Sequence, residues 1–122
     1  MTNLKLSRRS WRILAWLGLA AVMAVSLLPI EVPPQLDFWN SDKLVHISMY
    51  ASLMLCFSQA YARQRWLIVA IGLASFGALI EFLQSFTPTR SASVLDELAN
   101  LLGISIMLAI MSRRHRRVPL SE

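Results

Sequence analysis

Ile13 to Ile30 reads ILAWLGLAAVMAVSLLPI, eighteen residues without a charge. A helix needs about 20 apolar residues to cross the ~30 Å hydrocarbon core of a bilayer. The run is longer than the roughly 7–15 residues of a signal-peptide core. Ala20, Ala21 and Ala24 also form no clear cleavage site after it. It therefore reads as a retained membrane helix. Three further stretches follow: Leu44–Ala62 is charge-free over nineteen residues, Trp66–Ile80 over fifteen and Leu98–Ser112 over fifteen. The third reaches spanning length if Glu81 is tolerated on the way to Phe86. The fourth does so if its helix starts near Ser93, with Asp96 and Glu97 in the first turn.

Composition agrees with this. Only 16 % of the 122 residues are charged and 56 % are hydrophobic, against about 25 % charged in an ordinary soluble domain. Intrinsic disorder is excluded by the same apolar content. The lone cysteine, Cys56, can make neither an internal disulfide nor a thiolate zinc cage and reads as a small buried hydrophobe.

The net charge of +5 is a matter of placement. Ten of the twelve basic residues lie before the first stretch, between the second and third, or after the fourth. Lys43 and Arg90 are the exceptions. Short Lys- and Arg-rich loops stay in the cytoplasm, so the expectation is an all-α, four-transmembrane-helix bundle with short loops and both termini inside. The helices are expected at about 11–30, 43–62, 66–86 and 94–112, in a single domain over 1–122. Six of the seven acidic residues then fall toward the outer side. Orientation accounts for the basicity, and no nucleic-acid partner is expected. The Arg113–Arg117 cluster would attract anionic lipid at about 1 kcal/mol per residue near the surface.

Punctuation fits these bounds. Pro29, Pro33 and Pro34 follow the first helix, and Pro88 follows the third. Ser41 or Asp42 is a candidate N-cap for the second helix, and Ser91 or Ser93 for the fourth. Small residues let membrane helices approach closely. Ala70, Ala74 and Ala78 with Gly77 mark one candidate seam, and Gly103, near the face of Asp96 and Asn100, marks another.

Three polar stripes share one depth. Lys43, His46 and Tyr50 fall on one face of the second helix, Glu81 and Gln84 on one face of the third, and Asp96 and Asn100 on one face of the fourth. Asp42 and the turn residue Arg90 join them at the outer end. An ionisable group deep in a bilayer costs at least about 2.5–3.5 kcal/mol, so these residues are expected to face one another. The candidate ligand-binding set is Asp42, Lys43, His46, Tyr50, Glu81, Gln84, Arg90, Asp96 and Asn100.

The order Asp-Lys-x-x-His (42–46), Glu-x-x-Gln (81–84), Pro-x-Arg (88–90) and Asp-x-x-x-Asn-x-x-Gly (96–103) resembles the VanZ-like family of small integral membrane proteins. The match runs from Asp42 to Gly103, about half the chain. The resemblance implies a multi-helix protein of the bacterial cytoplasmic membrane with a link to the cell envelope. The name-giving member is associated with resistance to the glycopeptide teicoplanin. The resemblance implies no known catalytic mechanism.

Several functions fit these residues. Lys43, His46 and Arg90 suit a phosphate or carboxylate group, with Glu81, Gln84, Asp96 and Asn100 orienting them. The ligand would then be a membrane lipid or a lipid-linked cell-wall precursor. Alternatively the cluster only pins the helices, or serves a partner subunit. An intramembrane enzyme would use His46 with Glu81 or Asp96 as general base, although no nucleophile motif is evident and no catalytic residue is assigned. A metal held by His46, Glu81 and Asp96 is chemically feasible, but a single histidine with no cysteine at that depth is a poor ligand set. Neither metal nor cofactor is expected. No polar relay continues inward as a transport path would require. Trp11, Trp16, Trp39 and Trp66 include several at expected membrane interfaces, where indoles anchor helices.

Overall fold

The computed structural model describes residues 5–28, 39–86 and 94–117, with side chains except at 39–42 and 115–117. Over these residues the protein is all-helical: α1 (Arg8–Leu27), α2 (Trp39–Ala60), a short 3-10 turn (Arg63–Arg65), α3 (Trp66–Gln84) and α4 (Val94–Arg117).

The helix ends refine the expected bounds. α1 starts earlier because the Ser7 hydroxyl accepts from the Ser10 N–H at 3.2 Å. The Ser7 carbonyl accepts from Trp11 at 3.0 Å, and so begins the helical ladder. A serine N-cap satisfies a donor that the first turn would otherwise leave open. Arg8 and Arg9 thereby become helical. α2 begins at Trp39, so Ser41 and Asp42 lie within the helix instead of capping it. α3 ends two residues short of Phe86, with the Ser85 N–H on the Glu81 carbonyl at 3.2 Å. α4 runs five residues past Ser112, through the arginine cluster to Arg117. α1 ends at Leu27, three residues before the expected Ile30: Leu28 is extended, its N–H closing the last turn on the Ala24 carbonyl at 2.9 Å. The expected caps Ser91 and Ser93 and the prolines Pro29, Pro33, Pro34 and Pro88 lie outside the described residues.

Three helical stretches are long and apolar enough to cross a membrane: Arg8–Leu27, Arg63–Gln84 and Val94–Arg114. α2 is not among them, since it carries Lys43, His46, Ser48, Ser52, Ser58 and Gln59 along its length. Packing accounts for Lys43, His46, Ser58 and Gln59, which are buried or half-buried, while Ser48 and Ser52 are exposed. α2 contacts all three other helices, most extensively α4 and then α1, so neighbouring helices cover much of its surface. Its Tyr50, Leu53, Met54 and Phe57 are all buried. By contrast, α1 and α3 leave rows of large side chains exposed, including Leu17, Val25, Leu67, Ile68 and Ile71. Such apolar exposure is what a lipid solvent requires of a bundle.

α2 and α4 approach each other closely at Gly103. A Cβ there would lie 2.3 Å from the Ile47 carbonyl oxygen and 3.1 Å from the Ala51 nitrogen. The expected Gly103 seam is therefore real. The alanine stripe on α3 is displaced: Ala70 is buried but Ala78 is exposed. The buried line on α3 runs instead through Ala70, Leu73, Gly77, Glu81 and Gln84.

At the opposite end, α2 stops with its last carbonyls accepting side-chain donors. The Trp66 indole N–H donates to the carbonyls of Ser58 (3.1 Å) and Tyr61 (3.2 Å). The Arg12 Nε donates to that of Ala60 at 3.3 Å. These are groups that a helix C-terminus leaves without intrahelical donors. Trp16 closes the same corner, its indole N–H donating to the Tyr61 hydroxyl at 3.0 Å.

Candidate functional site at the polar end of the bundle

The start of α2, the end of α3 and the start of α4 meet at one end. Their polar stripes turn toward one another, as the cost of ionisable groups in an apolar solvent demands. Glu81, Gln84, Asp96 and Asn100 are all buried, Asn100 at 1 % exposure.

Asp96 is held from two sides. The Lys43 ammonium donates to its Oδ1 at 2.5 Å, and His46 Nε2 lies 3.7 Å from its Oδ2. The other imidazole nitrogen, Nδ1, is 2.8 Å from Asn100 Oδ1. The Asn100 amide is itself oriented, because its Nδ2 donates to Glu97 Oε1 at 3.1 Å. With Nδ2 committed to a carboxylate, Oδ1 faces the ring as an acceptor, which places a proton on Nδ1. Nε2 then faces Asp96. The chain Glu97–Asn100–His46 thus fixes the orientation of the imidazole, the kind of support that sharpens a binding site.

Tyr50 is 1 % exposed. Its ring approaches Gly77: a Cβ on that glycine would meet Tyr50 Cε2 at 3.4 Å, Asn100 Nδ2 at 2.9 Å and Glu97 Oε1 at 2.6 Å. The missing side chain on α3 is therefore the space that Glu97 and Asn100 fill. Gln84 turns to a different neighbour, its Nε2 donating to the Ser26 carbonyl at the end of α1 at 2.8 Å. It ties α1 to the polar end.

Of the sequence-derived set, Lys43, His46, Tyr50, Glu81, Asp96 and Asn100 come together, and Gln84 flanks them. Asp42 falls in the helical backbone of α2, but its side chain is not described, and Arg90 lies outside the described residues. Three contributors were not singled out from the sequence. Glu97 was legible as the i−3 neighbour of Asn100. Gly77 stood beside the alanine stripe. The Ser26 carbonyl carries no side-chain signal.

One atom from each of His46, Glu81 and Asp96 lies within 4.8 Å of the other two. Among the described residues these three would share a cation, so the group set aside as a poor ligand set is at least convergent. The Lys43 ammonium already occupies one oxygen of Asp96.

Comparison with protein-family models, curated proteins and solved structures finds no match. The resemblance to VanZ-like proteins therefore rests on the order and spacing of the residues quoted above.

Proposed function

We propose that this chain is a VanZ-like integral protein of the bacterial cytoplasmic membrane. It crosses four times with both termini inside, and its polar end opens toward the outer leaflet. There it binds the head group of an envelope lipid or a lipid-linked cell-wall precursor, by recognition and not by catalysis. A role in glycopeptide susceptibility is the corollary of the family resemblance.

The observation that carries the reading is the convergence of buried Glu81, Asp96 and Asn100 with half-buried Lys43 and His46, drawn from three helices and oriented by Glu97. Serine and amide side chains would hold helices together with fewer ionisable groups to desolvate. A cation, an imidazole and several carboxylates side by side suit a zwitterionic or phosphate-and-amide ligand, with donors and acceptors both present. Four crossings follow if α2 spans within the shelter of its neighbours, and the arginine-rich end then faces the cytoplasm.

A second reading has its own support: the cluster pins the bundle. Lys43–Asp96 and His46–Asn100 both bridge α2 and α4, and Gln84–Ser26 bridges α3 and α1.

The test is native mass spectrometry of protein purified from bacterial membranes, comparing wild type with Glu81→Gln and His46→Gln. A discrete lipid or precursor that accompanies wild type and is lost from folded variants supports binding and names the ligand class. No bound species in any sample, with both variants strongly destabilised, refutes binding in favour of pinning.

A further inference from the structure

The end of the bundle opposite the polar cluster holds an open cavity of about 670 Å³. Three arginines from three separate elements line it: Arg8 from the first turn of α1, Arg63 from the 3-10 turn and Arg114 from near the end of α4. Trp11, Trp66 and Met111 supply its apolar wall, and among the described residues no carboxylate lines it. The described acidic residues, Glu81, Asp96 and Glu97, all lie at the other end. The Trp66 indole N–H is directed to two backbone carbonyls, so its ring is a fixed wall.

From this arrangement we propose that the cavity is a binding site for the head group of an anionic phospholipid. The arginines take the phosphate and the tryptophan–methionine wall takes the glycerol and first acyl carbons. Three reasons lead to this occupant. Three exposed arginines around one groove, with no carboxylate among its described lining residues, give it a positive potential that an anion offsets. Asp96 and Arg114 are eighteen residues apart on one helix, an axial span of about 27 Å. That is close to the ~30 Å hydrocarbon thickness, so a bundle whose polar cluster meets one interface sets this cavity at the other, among lipid phosphates. Lastly, the lining is half apolar, which a free phosphate would not use. Basic pockets between membrane helices are a known means of holding anionic head groups. The site is separate from the polar cluster; its depth rests on the bundle spanning a membrane with that cluster at one interface, but not on any ligand bound there.

The experiment titrates delipidated protein in detergent with dioleoyl phosphatidylglycerol or dioleoyl phosphatidylcholine and counts bound lipid by native mass spectrometry. One preferred phosphatidylglycerol is expected, bound at least about tenfold more tightly than phosphatidylcholine. Arg63→Gln and Arg114→Gln should each reduce that preference about fivefold. Arg63→Lys should retain more of it than Arg63→Gln. Arg113→Gln, next to Arg114 but outside the cavity, should change it much less. Equal retention of the two lipids by wild type overturns the proposal whether or not the variants fold. So does an Arg113→Gln loss as large as that of Arg114→Gln, which would mean diffuse surface charge. Displacement of the lipid by millimolar inorganic phosphate would identify a free-anion site and also overturns it.

Discussion

Replacing Gly103 by alanine should loosen the α2–α4 contact, whereas the same change at Gly72 should tighten the protein. Alanine is a better helix former than glycine by about 0.8–1.0 kcal/mol. At Gly72 a new Cβ meets nothing within 4 Å, so that gain is expected nearly whole. At Gly103 the Cβ would lie 2.3 Å from the Ile47 carbonyl oxygen, where ordinary contact begins at 3.4 Å. The obstructing atom is backbone and cannot rotate aside. The two helices must part by about 1 Å, and overpacking of this kind costs about 1–3 kcal/mol. Subtracting the propensity gain leaves a net loss of up to about 2 kcal/mol. The two variants should therefore differ by about 1–3 kcal/mol, with Gly72→Ala above wild type and Gly103→Ala at or below it. Gly103 is also one turn from Asn100, so separation there should stretch the 2.8 Å His46–Asn100 contact. Reversible unfolding in mixed micelles, followed by circular dichroism, measures both variants. If Gly103→Ala gains as much stability as Gly72→Ala, α2 and α4 do not approach as described and the reasoning fails.

The remaining predictions concern the site and the topology. Gly77→Ala displaces the ends of the Glu97 and Asn100 side chains, which can rotate, so it should preserve helicity and melting to within about 1 kcal/mol. The same change should weaken retention of whatever ligand native mass spectrometry detects at the polar end; unchanged retention would count against Glu97–Asn100–His46 as the orienting chain. Lys43→Met leaves Asp96 buried without its ammonium, and loss of one partner of a buried pair costs up to about 3–5 kcal/mol. The 29 % exposure of the Lys43 side chain should bring this to the lower end or below. Lys43→Met with Asp96→Leu should recover part of the loss in the same unfolding assay, and a double variant less stable than either single one would refute a simple pair. Trp66→Phe removes the donor to Ser58 and Tyr61 and should cost about 1–2 kcal/mol, read from the same unfolding curves. For four crossings with both ends inside, a green fluorescent protein fused after Glu122 should fluoresce and an alkaline phosphatase fused there should be inactive. The reverse pattern would exclude that topology.

Helix existence was legible because a bilayer imposes a length, and charge-free runs of that length have few other uses. Helix limits were less so. Ser7 caps α1 through a bond to Ser10 that no hydrophobic pattern marks, and the arginine run of α4 stays helical although it is fully polar. The depth of the site could be read from three stripes, since Lys43–His46, Glu81–Gln84 and Asp96–Asn100 obey the helical period and each sits near the same end. Partner choice could not, because periodicity gives a face and not a neighbour. Thus Gln84 reaches the Ser26 carbonyl on α1, and Glu97 enters through the space at Gly77. The same logic explains why α2 fails a hydropathy criterion that its three neighbours meet. A helix covered by other helices need not dissolve in lipid, and its surface is free to carry Lys43, His46 and Gln59. An average over its sequence hides that division, while the contacts of α2 with α1, α3 and α4 make it plain. α4 carries more charge, through Asp96, Glu97 and its terminal arginines, but carries it at its two ends. α2 is the helix that touches all three others, and its Lys43 and His46 sit half-buried where those neighbours keep lipid away, as a bundle built for an apolar solvent should display.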